Sequence, residues 1–218
     1  DKDAIEQQFH LIESGLFSKT TLLITQGVTS IIMFIVIPFV FLKILGVNFT
    51  ATFLKNTDYK IEHYLLVGLL VIGFMPMNTY LGEWNAQLPF SSEIVEMEEI
   101  AGRLTKLITN FSSSTELIIG FFVIAIVAGI GEELTFRAIL QNQISFLTKN
   151  KHVAIWVNAI LFSAIHMQFL GFFPRMLLGA LFGYIYVWSG NITLAMFGHF
   201  VNNGFAVVMM HLYNKKVI

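Results

Sequence analysis

The amino-acid sequence predicts an all-α protein, a polytopic transmembrane helical bundle of about six spans with one amphipathic interfacial helix. Of its 218 residues, 56% are hydrophobic and 12% are charged, against roughly 25% charged residues in a soluble domain. The mean hydropathy is +0.72, and the apolar residues form runs of about 20, the length that crosses a bilayer core. We therefore expect a single integral-membrane domain over residues 1–218.

The six predicted spans differ in how regular they are. The first contains Pro38, and the second is interrupted by Pro76 and Asn78. The last four spans are joined by short connections, so we expect them to be antiparallel neighbours. The predicted spans are residues 20–45, 62–81, 115–147, 152–168, 172–188 and 192–213.

Two segments outside the spans are amphipathic. Residues 1–18 form a weakly amphipathic stretch, which predicts an interfacial lead-in. Residues 93–108 carry apolar side chains at spacings of three and four, which predicts an amphipathic surface helix. These side chains are Ile94, Met97, Ile100, Leu104 and Leu107.

The composition also excludes several kinds of site. The chain contains no cysteine, which excludes disulfides, thiolate metal sites and a cysteine nucleophile. A net charge of -1 gives no reason to expect nucleic acid as a partner. The lipid bilayer is the partner that the composition indicates.

The third predicted span contains two carboxylates and a guanidinium, Glu132, Glu133 and Arg137. Charged groups at membrane depth are costly, usually face the bundle interior, and mark function. Glu133 and Arg137 have the i, i+4 spacing of a helical ion pair, so we assign them structural support of the site. For Glu133 and Arg137, an ion pair that only holds helices together is a stronger interpretation than a catalytic role. Glu132 points about 100° away around the helix and has no such partner in its own helix. A carboxylate of this kind suits a general base that acts on water.

Polar residues of three spans fall into one layer of the predicted bundle. Counted at about 1.5 Å per residue from the side of residues 150 and 190, Glu132 lies roughly 24 Å deep and His166 roughly 22 Å deep. By the same count Asn203 lies roughly 20 Å and His199 roughly 13 Å deep. His199 and Asn203 are four residues apart and share one helix face. This convergence predicts one buried polar site.

Other residues in the spans have simpler expected roles. Asn158 and Asn202 are expected to make hydrogen bonds between helices. The glycine pairs should let a neighbouring backbone come close, and the first pair could admit a substrate instead. These pairs are Gly129 with Gly131, and Gly179 with Gly183.

Three motifs in these spans resemble those of the CPBP intramembrane metalloprotease family, which includes the type II CAAX prenyl endopeptidases and the bacterial Abi proteins. Glu132-Glu133-Leu-Thr-Phe-Arg137 is similar to its EExxxR motif. Phe162-Ser-Ala-Ile-His166 is similar to FxxxH, and His199-Phe-Val-Asn-Asn203 to HxxxN. The order along the chain also agrees, over a motif-bearing core of about residues 115–213.

The resemblance implies a hydrolase, a membrane-embedded protease that cleaves a membrane-associated protein or a peptide, which could be prenylated. In this family's pattern Glu132 activates water and His166 assists it, while His199 and Asn203 lie around the scissile carbonyl as oxyanion stabilisers. The resemblance leaves two alternatives open. A divalent metal such as zinc could be bound by Glu132, His166 and His199, or the mechanism could be independent of metal. We expect an integral, multi-pass protein of a bacterial plasma membrane rather than of the endoplasmic reticulum.

Two other function classes compete with the endopeptidase. One is a non-proteolytic membrane scaffold or immunity-type partner protein of the same family, although intact motifs favour catalysis. The other is a small transporter with a proton-relay carboxylate. The absence of an internal repeat in the sequence argues against a transporter. Replacement of Glu132 by Gln would separate the three, because only a protease would lose cleavage.

Overall fold

The structure is a computed structural model that describes residues 9–10, 14, 18–55 and 58–217. Most of the predicted lead-in at residues 1–18 therefore lies outside the described residues. Phe9 is buried, and the guanidinium carbon of Arg103 lies 4.2 Å from the centroid of its ring.

The described residues fold into helices that we label α1 to α8 in chain order. Within α5, residues Phe122–Val127 and Leu134–Gln141 form wider π-helical turns. A short 3-10 turn, Phe169–Gly171, precedes α7. The helices are α1 (Lys19–Ile44), α2 (Phe49–Phe53), α3 (Ile61–Ala86), α4 (Ser92–Thr109), α5 (Ser114–Thr148), α6 (Lys151–Ala164), α7 (Phe172–Ser189) and α8 (Ile192–Asn214).

This architecture confirms the predicted helical membrane bundle. Within the described residues, five helical segments are long and apolar enough to cross a membrane: α1, α3, α5, the segment Phe169–Ser189 that contains α7, and α8. Their outer faces expose large apolar side chains, such as Ile44 at 78% and Leu69 at 67%. Such surfaces belong in lipid.

The fourth predicted span is shorter than expected. Residues 152–168 were predicted to be helical throughout, but α6 has 14 residues and ends at Ala164. At about 1.5 Å per residue it is roughly 21 Å long, less than a bilayer core. The helix ends because Met167 adopts a left-handed backbone conformation, with φ of 54°. His166 consequently lies just beyond the helix, on a tight turn.

Glycines set the spacing around α5 and α7. A Cβ atom at Gly129 would lie 3.1 Å from the backbone nitrogen of Phe200 in α8. At Gly131 it would lie 2.6 Å from Cβ of Phe34 in α1, and at Gly179 3.1 Å from the Phe162 ring in α6. The predicted close approaches are therefore made by neighbouring helices. They hold α5 between α1 and α8, with its charged residues turned inward.

The surface helix α4 covers the predicted amphipathic segment. Glu98 on this helix lies beside the backbone N–H groups of Phe169 and Leu170 and near Arg175. Burial raises the pKa of the Glu98 carboxyl group, and the positive charge of Arg175 opposes this effect. These contacts dock α4 against the turn that precedes α7.

Candidate active site

A cavity of about 320 Å³ opens between α3, α5, α7, α8 and the turn after α6. Polar and charged groups from five parts of the chain meet around it. All four residues predicted to be catalytic, Glu132, His166, His199 and Asn203, line it. The other polar lining residues are Asn78, Arg175 and Asn202.

A buried network beside this cavity is centred on Glu133, whose side chain is fully buried. Its Oε1 atom accepts a hydrogen bond from Nη1 of Arg137 at 2.8 Å. The same oxygen lies 2.8 Å from Nδ1 of His199. Glu133 therefore joins the first motif to the third, a contact that the sequence did not indicate because i, i+4 spacing reports only pairs within one helix.

Arg137 is also fully buried and extends the network to α7. Its Nη2 atom donates a hydrogen bond to the backbone oxygen of Gly179 at 2.7 Å. The guanidinium carbon lies 5.1 Å from the ring centroid of Phe162 and 5.6 Å from that of Phe182. Since a guanidinium is attracted to aromatic faces, these rings further stabilise the buried charge. Arg137 thus fixes α5 against α6 and α7.

The Glu133 contact determines which nitrogen of His199 carries the proton. An ionised carboxylate only accepts hydrogen bonds, so Nδ1 of His199 must be the donor. In the neutral ring, Nε2 is then an acceptor, and it lies 3.6 Å from Oε2 of Glu132. The ring also stacks on Phe182, with centroids 4.9 Å apart and planes 18° apart. Position and tautomer of His199 are both fixed by its neighbours.

Glu132 and Glu133 occupy different environments although they are adjacent. The side chain of Glu132 is 19% exposed and borders the cavity, whereas that of Glu133 is fully buried. The 3.6 Å between Glu132 and His199 is too long for a direct hydrogen bond. Two acceptors at this distance can share one water molecule that donates to both.

His166 presents a second imidazole to the cavity. Its Nδ1 atom lies 2.7 Å from the backbone oxygen of Phe162. Because a carbonyl oxygen only accepts, Nδ1 carries the proton and Nε2 is left as the acceptor. The Phe162 ring contacts the imidazole rings of both His166 and His199.

Asn203 is held by hydrogen bonds on both sides of its carboxamide. Its Nδ2 atom donates to the backbone oxygen of Ile124 at 3.0 Å, and its Oδ1 atom accepts from Nδ2 of Asn202 at 3.1 Å. An amide nitrogen carries two hydrogens, so one donor of Asn203 remains for a group in the cavity. The Asn202 bond lies within α8 rather than between helices.

Asn158 differs from its expected role. It is fully buried, yet neither of its side-chain polar atoms has a hydrogen-bond partner among the described residues. The prediction that Asn158 links two helices by a hydrogen bond is therefore wrong. Asn158 lies inside the bundle as predicted, but it lacks the predicted hydrogen bond to another described helix.

The possible metal ligands line one cavity but are not closely grouped. Among the described residues, no three or more side chains of His, Asp or Glu are grouped closely enough to hold a metal ion. The donor set that the resemblance suggests, Glu132, His166 and His199, does not form such a cluster. We therefore derive no chemical step through a metal.

Three further polar residues, Asn78, Arg175 and Asn202, line the cavity although they were not predicted as site residues. Asn78 comes from α3, and Arg175 from the first turn of α7. Arg175 donates to the backbone oxygen of Gln168 at 3.1 Å and to its Oε1 atom at 3.0 Å. The available signal was that all three are polar residues within apolar segments.

The comparisons with known proteins agree with the three motifs. Residues 114–205 match the family model described as type II CAAX prenyl endopeptidase Rce1-like. The chain is similar to that family over these residues, which make up less than half of its length. The CAAX endopeptidase match begins with α5 and includes every motif residue that lines the cavity.

A curated relative covers a smaller region. "Uncharacterized protein YpbD" of Bacillus subtilis (strain 168) is 30% identical over 74 residues. The match spans 32% of this chain and about a third, 34%, of that protein. No solved structure matches the chain.

Proposed function

We propose that this protein is an intramembrane endopeptidase that hydrolyses a peptide bond of a membrane-associated protein or peptide with water activated by Glu132. The observation that carries the proposal is the pair of acceptors at the cavity, Glu132 Oε2 and His199 Nε2, 3.6 Å apart. The CAAX endopeptidase match over residues 114–205 supports the same reaction class.

In the proposed first step, a water molecule donates one hydrogen to Glu132 and the other to Nε2 of His199. Glu132 removes its proton as the water oxygen attacks the scissile carbonyl carbon. The carbonyl oxygen becomes an oxyanion, which the remaining N–H of Asn203 stabilises. The family resemblance implied that His199 and Asn203 stabilise the oxyanion together. In the present geometry a neutral His199 is an acceptor, so it would join Asn203 only after gaining a proton.

In the second step, the tetrahedral intermediate collapses. The carbon–nitrogen bond breaks, and the proton held by Glu132 passes to the leaving amine. His166, whose Nε2 is also an acceptor at the cavity, assists these proton transfers. Glu133 and Arg137 do not take part in the reaction, because their side chains hold His199 and the neighbouring helices in position.

Localisation follows from the same support. The chain is an integral membrane protein by its apolar helices. We place it in a bacterial plasma membrane because its curated relative comes from Bacillus subtilis. Prenylated peptides are a substrate class to test alongside unmodified ones, since the matched family is named for prenyl substrates.

The proposal is tested with purified protein in detergent and an internally quenched pool of randomised decapeptides, supplied with and without a prenylated cysteine. Glu132→Gln should fold and lose cleavage by about 100-fold or more, the scale of general-base catalysis. Glu62→Gln is the matched control, because Glu62 is exposed at the start of α3. Equal cleavage by wild type and Glu132→Gln would overturn the assignment of Glu132, and cleavage by neither would overturn the peptidase.

A further inference from the structure

Asn78 borders the cavity, and the carbonyl group of its side chain has no hydrogen-bond partner in the described part of the chain. It lies on α3, which carries none of the three motifs, and it shares the cavity with Glu132 and His199. Its Oδ1 atom is shielded from solvent and accepts no hydrogen bond from the described residues. A buried carbonyl without a donor is unfavourable, and in a membrane little water is present to replace the donor.

A second asparagine on the same helix shows the opposite situation. Asn85 is fully buried, and both ends of its carboxamide are paired. Its Nδ2 atom donates to the backbone oxygen of Phe169 at 3.1 Å, and its Oδ1 atom accepts from the backbone N–H of Phe173 at 2.8 Å. Asn85 thus joins α3 to the start of α7. Asn78 has no comparable structural contact for its oxygen.

Other polar residues of the cavity do not donate a hydrogen bond to Oδ1 of Asn78. Arg175 donates to Gln168 through both terminal nitrogens and makes no hydrogen bond to Oδ1 of Asn78. Asn203 lines the same cavity but makes no hydrogen bond to Oδ1 of Asn78. Pro76, two residues before Asn78, cannot donate a backbone hydrogen bond. The missing donor is therefore best supplied by a molecule that enters the cavity, toward which a rotation of the Asn78 carboxamide turns the Oδ1 atom.

We propose that the carbonyl oxygen of Asn78 accepts a hydrogen bond from a backbone N–H of the bound peptide, beside the bond that Glu132-activated water attacks. This rests on the proposed peptidase function and adds a substrate-binding residue from α3. A peptide chain presents one N–H per residue, in any sequence, so Asn78 selects for an unsubstituted backbone rather than for a particular side chain. The bound peptide then lies in the cavity between Asn78 of α3 and Glu132 of α5.

If Asn78 binds the substrate in this way, its replacement should weaken substrate binding and leave the chemical step almost unchanged. With a decapeptide cleaved by the wild type, Asn78→Leu should raise KM about three- to tenfold and leave kcat within about twofold, since it removes one hydrogen bond made equally before and during reaction. Asn85→Leu is the matched control, which should lower the melting temperature instead. Asn78→Leu should melt no lower than wild type, because it removes a carbonyl that is unpaired.

The peptide itself provides a test that leaves the protein unchanged. In a series in which each backbone nitrogen is methylated in turn, one position should weaken binding to wild type as much as Asn78→Leu does, and methylation there should have no further effect on Asn78→Leu. Binding of the same fluorescent peptides to Glu132→Gln, with and without Asn78→Leu, gives the affinity without cleavage. Loss of affinity with Asn78→Leu would support the contact even if no peptide is cleaved. Equal affinity and a methylation series that affects both proteins alike would overturn it, and normal cleavage by the wild type would then leave the peptidase proposal standing.

Discussion

Removing Arg137 should destabilise the bundle far more than removing the proposed base. Arg137→Ala leaves the carboxylate of Glu133 buried without its 2.8 Å ion-pair partner. Breaking a buried ion pair in this way costs about 3–5 kcal/mol. The backbone oxygen of Gly179 also loses a donor at 2.7 Å, which costs about 1–3 kcal/mol when the oxygen stays buried. Against a typical stability of about 5–15 kcal/mol, this loss is large enough to unfold part of the population.

Two matched variants show whether the buried charge is the cause. Glu132→Gln changes a carboxylate that borders the cavity and has no ion pair as short as 2.8 Å, so its cost should stay near or below about 1 kcal/mol. The double variant Glu133→Gln with Arg137→Met removes both buried charges and should recover much of the stability lost in Arg137→Ala.

The assay is thermal unfolding in detergent, followed by the fluorescence of Trp84, Trp156 and Trp188. Arg137→Ala should melt well below the wild type, with Glu132→Gln close to it. Similar melting temperatures for Arg137→Ala and Glu132→Gln would refute the division between a structural and a reactive carboxylate. A double variant as unstable as Arg137→Ala would show that packing, rather than unpaired charge, explains the loss.

Two further predictions concern the docking of α4 and the packing of α5. Burial raises the pKa of Glu98 above 4.5. The contribution of this carboxyl group to stability is therefore complete below pH 4.5 and is lost as the pH rises through the raised pKa. Glu98→Gln should make the melting temperature depend less on pH just above 4.5, and an unchanged dependence would contradict the assignment. Gly131→Ala places a Cβ 2.6 Å from Cβ of Phe34 and should cost about 1–3 kcal/mol of stability. Gly73→Ala places a Cβ that meets no described atom within 4 Å outside the adjacent backbone of α3, so it should cost nothing or stabilise α3 by up to about 1 kcal/mol. Equal melting temperatures for the two alanine variants would mean that α1 and α5 separate freely.

Local sequence signals were sufficient for most of the fold. The long apolar runs and their short polar connections predicted α1, α3, α5, α7 and α8 to within a few residues at most ends. The end of α6 was missed because Met167 is not a residue type that usually adopts positive φ. Its conformation follows from how the chain turns into the cavity, which no local pattern reports.

The sequence pattern predicted which residues lie near one another at the candidate site, but not which of them are in contact. Depth along the helices brought Glu132, His166 and His199 into one layer because helical rise is fixed. It could not show that Glu133 also contacts His199, since that contact depends on how far α8 is rotated about its axis. Asn78 was noted only as an interruption of a span, because whether a polar residue faces lipid, protein or a cavity is decided by tertiary packing.

The most direct test of the account compares protein termini in membranes that carry the wild type or Glu132→Gln at matched levels. The account predicts new termini in membrane-associated proteins that appear only with the wild type, and those termini would also name the substrate. Identical sets of termini, with both proteins folded and abundant, would contradict the proposal that Glu132 activates water for peptide hydrolysis.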